Sequence, residues 1–157
     1  MPVRSTGPFP RQSLPSLADG VRPLEEAWAQ GEALILMGHR NCKTTRQTIP
    51  FVDRIHRRRA AGHSALLVLQ DDEETARALA ADLDLEVPIR LEADPYPLAA
   101  ALDLVVVPTL FLIRADGTIA KATEAFHRAD LEEYAERLGV VGPLFTPEDR
   151  APATKPG

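Results

Sequence analysis

One cysteine, Cys42, is all that the chain of 157 residues contains. No disulfide can close within it, and any redox cycle at that sulfur must pass through a second molecule. Basic charge is not in surplus either, since 18 Lys and Arg stand against 23 Asp and Glu for a formal net charge of −5. That argues against a nucleic-acid partner, whose phosphates need a cationic face. No apolar stretch approaches the ~20 residues that span a bilayer, so no membrane segment is expected. Residues Met1 to Pro10 lack the apolar core of a secretory signal, which leads to the expectation of a cytoplasmic protein. Metal-ligand spacing is missing too: His39, His56, His63 and His127 fall at no intervals that complete a ligand set with Cys42, and no metal is expected.

What is present reads as one globular domain. The apolar share of 45% and charged share of 26% are ordinary for that class, and the length leaves room for a sheet and several helices. Residues 1–12 carry Pro2, Gly7, Pro8 and Pro10, and residues 142–157 carry Pro143, Pro147, Pro152 and Pro156. Both ends are therefore expected to be irregular tails around a domain at 13–141.

Within the domain, Ser13 to Leu24 holds an Asp19-Gly20 turn signal and reads as a short hairpin or arm. Glu25 to Gln30 gives one or two helical turns anchored by Trp28. Ala33 to Met37 is a buried strand bounded by Gly31 and Gly38. A helix is expected from Lys43 to Ala61, with Ile49, Val52 and Ile55 on one face and Arg54, Arg57, Arg58 and Arg59 as a solvated cationic end. Pro50 falls inside it and should kink it. Ser64 to Leu69 is a second buried strand, Asp72 the N-cap of a helix over Ala76 to Leu83, Ile89 to Glu92 a short strand and Pro97 to Leu102 a short helix. Leu104 to Ala120 reads as two strands joined at Asp116-Gly117, with Pro108 needing a strand start, an edge or a cis bond. Asp130 to Leu138 closes the series as an amphipathic helix stopped by Gly139. Parallel crossovers followed by an antiparallel hairpin make a mixed α/β sheet covered by helices.

The stretch from Gly38 to Pro50 carries the chemistry. Cys42 lies at the seam between a strand and a helix N-terminus, where free N–H groups and the helix dipole favour a thiolate. Arg40 and Lys43 flank it and add positive charge nearby. His39, three residues earlier, is a candidate general base.

These residues resemble the thioredoxin-like superfamily, most closely its redoxin branch of thiol-disulfide oxidoreductases and peroxiredoxin-related proteins. Cys42 matches the first cysteine of the Cys-x-x-Cys turn, Pro50 falls at the helix proline eight residues later, and Val107-Pro108-Thr109 matches the cis-proline loop. The hairpin at Leu14 to Leu24 is similar to the N-terminal hairpin of redoxins, and the likeness runs from about Leu14 to Gly139. The resemblance implies a three-layer thioredoxin-like sandwich with a mixed central sheet and an N-terminal hairpin.

The departures from the pattern are specific. Thr45 replaces the second cysteine and Asn41 the preceding aromatic. Leu36 stands where thioredoxins keep a buried aspartate, and Thr48 where many redoxins have a helix glutamate. His39 stands where a peroxiredoxin would have its threonine.

The resemblance implies a monothiol oxidoreductase without a cofactor. Cys42 would attack a protein or small-molecule disulfide, Thr45 would steady the thiolate by a hydrogen bond, and the Val107-Pro108 loop would hold the substrate chain, with Lys43 and His39 beside it. An external thiol, glutathione or a thioredoxin, would release the mixed disulfide. Two alternatives stand beside this reading: a catalytically silent module that keeps the peptide groove, and a peroxiredoxin-like antioxidant peroxidase.

Overall fold

The computed structural model describes residues 2–157, and Met1 of the expected N-terminal tail lies outside the described residues. A hairpin of β1 (Ser13–Pro15) and β2 (Val21–Pro23) comes first, turning through Asp19 and Gly20. A 3-10 turn at Leu24–Trp28 then buries Trp28. Next come β3 (Ala33–Gly38), α1 (Lys43–Arg58), β4 (Ser64–Leu69), α2 (Glu73–Asp82), β5 (Ile89–Leu91) and α3 (Pro97–Ala101). The chain ends with β6 (Thr109–Ile113), β7 (Ile119–Glu124), β8 (Phe126–His127), α4 (Arg128–Arg137) and β9 (Thr154–Lys155).

The central sheet has the order β5-β4-β3-β6-β7, parallel from β5 to β3 and antiparallel from β3 to β7. Every residue of β3 is buried because both faces of the sheet are covered. Strand side chains alternate faces, so Leu34 and Leu36 join Ile49, Val52 and Ile55 of α1 and Leu131, Tyr134 and Leu138 at α4. Ala33, Ile35 and Met37 face the other way, onto Phe9, Trp28, Leu98 and Phe111. Each of these larger apolar side chains contributes about 1.5–3 kcal/mol by leaving water, which is why a short run without polar alternation is stable here. The three-layer α/β arrangement with a mixed sheet and an N-terminal hairpin is the one the sequence predicts.

Several details differ from expectation. α1 stops at Arg58 rather than Ala61, because the Ala60 N–H leaves the helix to donate to Leu138 O at 2.9 Å. The expected strand through Leu104–Val107 is a loop. Pro108 has no N–H and its peptide bond with Val107 is cis, so the ladder starts only at Thr109. The Asp116-Gly117 turn is formed, with Gly117 at φ +90 and the Asp116 carboxylate accepting from Thr118 N, but it joins strands that end at Ile113 and resume at Ile119. Asp72 caps α2 as expected, accepting from Thr75 N at 2.8 Å.

Residues 2–12 form no helix or strand but are docked on the domain, and the C-terminal stretch, expected to be irregular, carries short regular elements. Phe9 is 2% exposed and stands edge-on to Trp28 and Phe111, while Arg4 N donates to Leu102 O. After α4, Leu144 and Phe145 are buried, a 3-10 turn forms at Pro147–Asp149, and β9 pairs antiparallel with β8. Prolines break the periodicity that marks regular elements, yet a segment can dock without it once its few apolar side chains are buried and its polar atoms find partners. The cationic end of α1 is drawn into this docking. Arg54 binds the Asp149 carboxylate through both terminal nitrogens and donates to Leu144 O.

Candidate active site

β3 delivers the chain to Gly38, and α1 must start against it. A Cβ at Gly38 would lie 2.7 Å from Thr45 Cγ2 and 2.8 Å from Thr45 Oγ1, so glycine lets the first turn of the helix approach the strand end. The turn between them is held from both sides, by Cys42 N donating to His39 O at 3.3 Å and Arg40 N donating to Asp71 Oδ2 at 2.9 Å.

Cys42 is the N-cap residue of α1, with extended backbone at φ −86 and ψ 118. Thr45 N–H donates to its sulfur at 3.4 Å, and the thiol hydrogen can donate to Val107 O, also at 3.4 Å. The sulfur therefore sits at the positive end of a 16-residue helix, where a backbone donor can serve a thiolate as readily as a thiol. Cys42 as a residue is partly exposed, and it carries no disulfide. The Val107-Pro108 loop is clamped behind it by Thr109 Oγ1 donating to Val106 O at 2.6 Å and Ala125 N donating to Pro108 O at 2.7 Å.

The structure thus brings Cys42, Val107 and Pro108 together. It corrects the expectation for Thr45. The hydroxyl of that residue is fully buried against Gly38 with no hydrogen-bond partner, and the group aimed at the sulfur is the backbone N–H. Among the described residues, the His39 ring makes no hydrogen bond to the sulfur. It lines a groove of about 560 Å³ with Gln70, Tyr96, Asp103, Val105 and Val107. Lys43 is exposed at the first position of α1 and forms no ion pair among the described residues. Leu36 is wholly buried in the apolar core and Thr48 Oγ1 donates to Thr44 O, so neither position offers the sulfur a proton acceptor.

Two features of the site escaped the sequence. Leu104 to Val107 reads as strand, yet Val105 is 67% exposed on the groove wall. Thr44, next to Lys43, donates its hydroxyl to Pro156 O, which brings the end of the chain to the thiol turn. Buried carboxylates do exist elsewhere as structural caps: Glu92 accepts from Leu98 N and Ala99 N at the start of α3, and Asp53 accepts from Glu86 N and Val87 N. No group of three or more His, Cys, Asp and Glu side chains suited to a metal occurs among the described residues. No helix among them is long and apolar enough to cross a membrane.

No family model matches the chain, and no curated protein matches it. Solved structures do. A protein assigned as the thiol:disulfide interchange protein DsbE of Chlorobium tepidum superposes with a TM-score of 0.75 at 20% identity, covering 87% of this chain and 96% of its own. The thioredoxin domain of a thiol-disulfide oxidoreductase from Bacteroides vulgatus gives 0.74 at 15% identity, covering 86% and 97%. The peroxidoxin BcpB of Mycobacterium tuberculosis gives 0.70 at 13% identity, covering 85% and 94%. At these identities the likeness is one of fold, and the fold is thioredoxin-like, as the sequence implied.

Proposed function

We propose that this protein is a monothiol thiol-disulfide oxidoreductase acting through Cys42. The observation that carries the reading is the placement of the sulfur of Cys42, a partly exposed residue, at the N-terminus of α1, 3.4 Å from the Thr45 N–H and 3.4 Å from the Val107 carbonyl of a cis-proline loop. The Cys42 thiolate attacks one sulfur of a disulfide RS–SR′, forming the Cys42–SR bond while the old S–S bond breaks and R′S⁻ leaves. An external thiolate R″S⁻, from glutathione or a thioredoxin, then attacks the R-bearing sulfur of the mixed disulfide, forming R″S–SR while the Cys42–SR bond breaks and Cys42 leaves as the thiolate. The chain supplies no second thiol for that step. Thr45 N–H steadies the sulfur, the Val107 and Pro108 main chain lies against the substrate, and Lys43 and His39 border the approach. Such a cycle needs no cofactor, and a thiol pool to drive it fits a reducing compartment such as the cytoplasm. Neighbours named as oxidoreductases and a peroxidoxin support thiol chemistry in general.

The test is incubation with glutathione disulfide followed by intact-mass measurement. One glutathione adduct is expected on the protein, none on Cys42→Ser, and the adduct should be removed by reduced glutathione. No adduct, or one that reduced glutathione leaves in place, removes the proposal. The missing second cysteine and the buried, unbonded Thr45 hydroxyl favour the second reading, a silent binding module. In that case Cys42→Ser would hold the same partners with undiminished affinity.

A further inference from the structure

The last residues of the chain lie on the face of the cis-proline loop that a substrate chain would use. Phe145 is buried beside Phe51, and Asp149 is gripped by Arg54. Arg128 N then donates to Ala153 O at 2.9 Å, and Thr154 and Lys155 pair with His127 and Phe126. From there the chain runs to Thr44, which donates to Pro156 O, and to Val107. A Cβ at position 157 would collide with the Val107 carbonyl oxygen and Val106 Cγ1, so Gly157 is in close contact with both. The Val107 carbonyl, which accepts from the Cys42 sulfur, is therefore covered from this side by the protein's own backbone.

The other flank is open. The groove of about 560 Å³ runs from His39 past Gln70 and Tyr96 to Asp103, Val105 and Val107, and no residue after Val107 lines it. It reaches the thiol turn at His39 and the cis-proline loop at Val107, and His39, Gln70, Tyr96 and Asp103 line it together with alanine, proline, leucine and valine residues, Val105 being exposed. Its size and mixed lining suit a compact molecule.

We propose that residues 154–157 occupy the substrate-chain position beside Val107, and that Cys42 in consequence exchanges with small disulfides of the glutathione class arriving through the His39–Tyr96 groove, not with disulfides on an extended protein segment. The assignment rests on the thiol-exchange reading for its substrate class, and on the packing of the segment alone for its selectivity. A protein segment must wait for the strap to lift, and its apparent reactivity is reduced by the fraction of molecules in which the strap is up.

The experiment compares two reagents with the same warhead, iodoacetamide and an iodoacetylated ten-residue peptide, on the full chain, on a variant ending at Ala153 and on Asp149→Asn. Removing residues 154–157 is expected to raise the peptide reagent's rate about tenfold or more while iodoacetamide stays within about twofold, the ratio set by the strap's docked fraction. Asp149→Asn should move the same ratio in the same direction by a smaller factor, and it decides the matter if the shortened chain does not fold. Peptide and small reagent changing together, or neither changing, overturns the proposal. A parallel run with glutathione disulfide and a peptide disulfide separates the two readings. Alkylation that follows the strap without exchange on either disulfide sinks thiol exchange and leaves the strap in place, whereas exchange with a ratio indifferent to the strap does the reverse.

Discussion

The two ends of the chain are alike in composition and opposite in consequence. Each is rich in proline and each inserts an aromatic ring into the body of the protein: Phe9 against Trp28 and Phe111 on one face of the sheet, Phe145 against Phe51 and Phe126 on the other. Beyond its ring the N-terminal stretch makes main-chain bonds to the β6–β7 turn and to Leu102, all remote in sequence from the thiol turn. The C-terminal stretch continues past Phe145 into an ion pair, a strand pair and contacts with Thr44 and Val107. A docked tail thus adds stability wherever its ring lands, and it acquires a role at the site only when its path afterwards crosses the reactive group.

Removing the rings should separate these two effects most strongly. Phe9→Ala and Phe145→Ala each delete a ring that is 5% exposed or less, and each is expected to cost about 3–5 kcal/mol in urea unfolding. Only Phe145→Ala should also raise the rate at which the iodoacetylated peptide reaches Cys42, because the Arg128 guanidinium lies 4.9 Å from the centre of that ring and its own backbone N–H holds Ala153. An equal rise for Phe9→Ala would show that global loosening, not the strap, governs access, and the contrast between the ends would collapse.

That contrast was only partly legible in the sequence. β3 and the thiol turn could be read because their signals are local: an apolar run, Gly38, Cys42 and Pro50 within one short stretch. The Val107-Pro108 loop could be placed by resemblance, but the Val105–Val107 run misled, since β-branched residues look like strand until a proline without a donor cuts the ladder. The Thr45 hydroxyl could not be aimed without knowing that Gly38 packs on it. The strap was hidden for the same kind of reason. Arg54 meets Asp149 across 95 residues and Thr44 meets Pro156 across 112, and no periodicity encodes such pairs. One local hint was available: Thr146-Pro147-Glu148-Asp149 has the pattern of a capped helical start, and it forms the capping box seen between Thr146 and Asp149.

The Arg54–Asp149 pair is the next, smaller lever. The Arg54 guanidinium, by its hydrogen bonds, holds the Asp149 carboxyl well below the usual carboxylate range against the opposing effect of burial, with further help from the Thr146 N–H. A carboxyl whose folded value lies below its unfolded one, about 3.9, contributes fully above that unfolded value and loses its contribution as pH falls through the folded value. Protection of Cys42 from the peptide reagent should therefore be maintained from neutral pH down to the unfolded carboxylate value as far as this pair governs it. Arg54→Met should remove about 1–2 kcal/mol of stability, since Asp149 keeps its Thr146 partners, and should raise the peptide rate several-fold. Loss of stability with unchanged peptide access would assign the pair to folding alone.

Thr44→Val tests the finest point of the comparison, the last contact before the reactive turn. Thr44 is 4% exposed and its hydroxyl reaches Pro156 O, whereas Pro156 itself is exposed, so water can replace the lost donor and the cost in stability should be no more than about 1 kcal/mol. Among the described residues, the N-terminal stretch makes no hydrogen bond to α1 and so offers no equivalent substitution. If the strap selects what reaches Cys42, this nearly silent change in urea unfolding should still favour the peptide reagent over iodoacetamide, by less than Arg54→Met does. A ratio that stays fixed would mean that β9 alone, paired with β8, holds the chain end in place, and that Thr44 accompanies the closure without contributing to it.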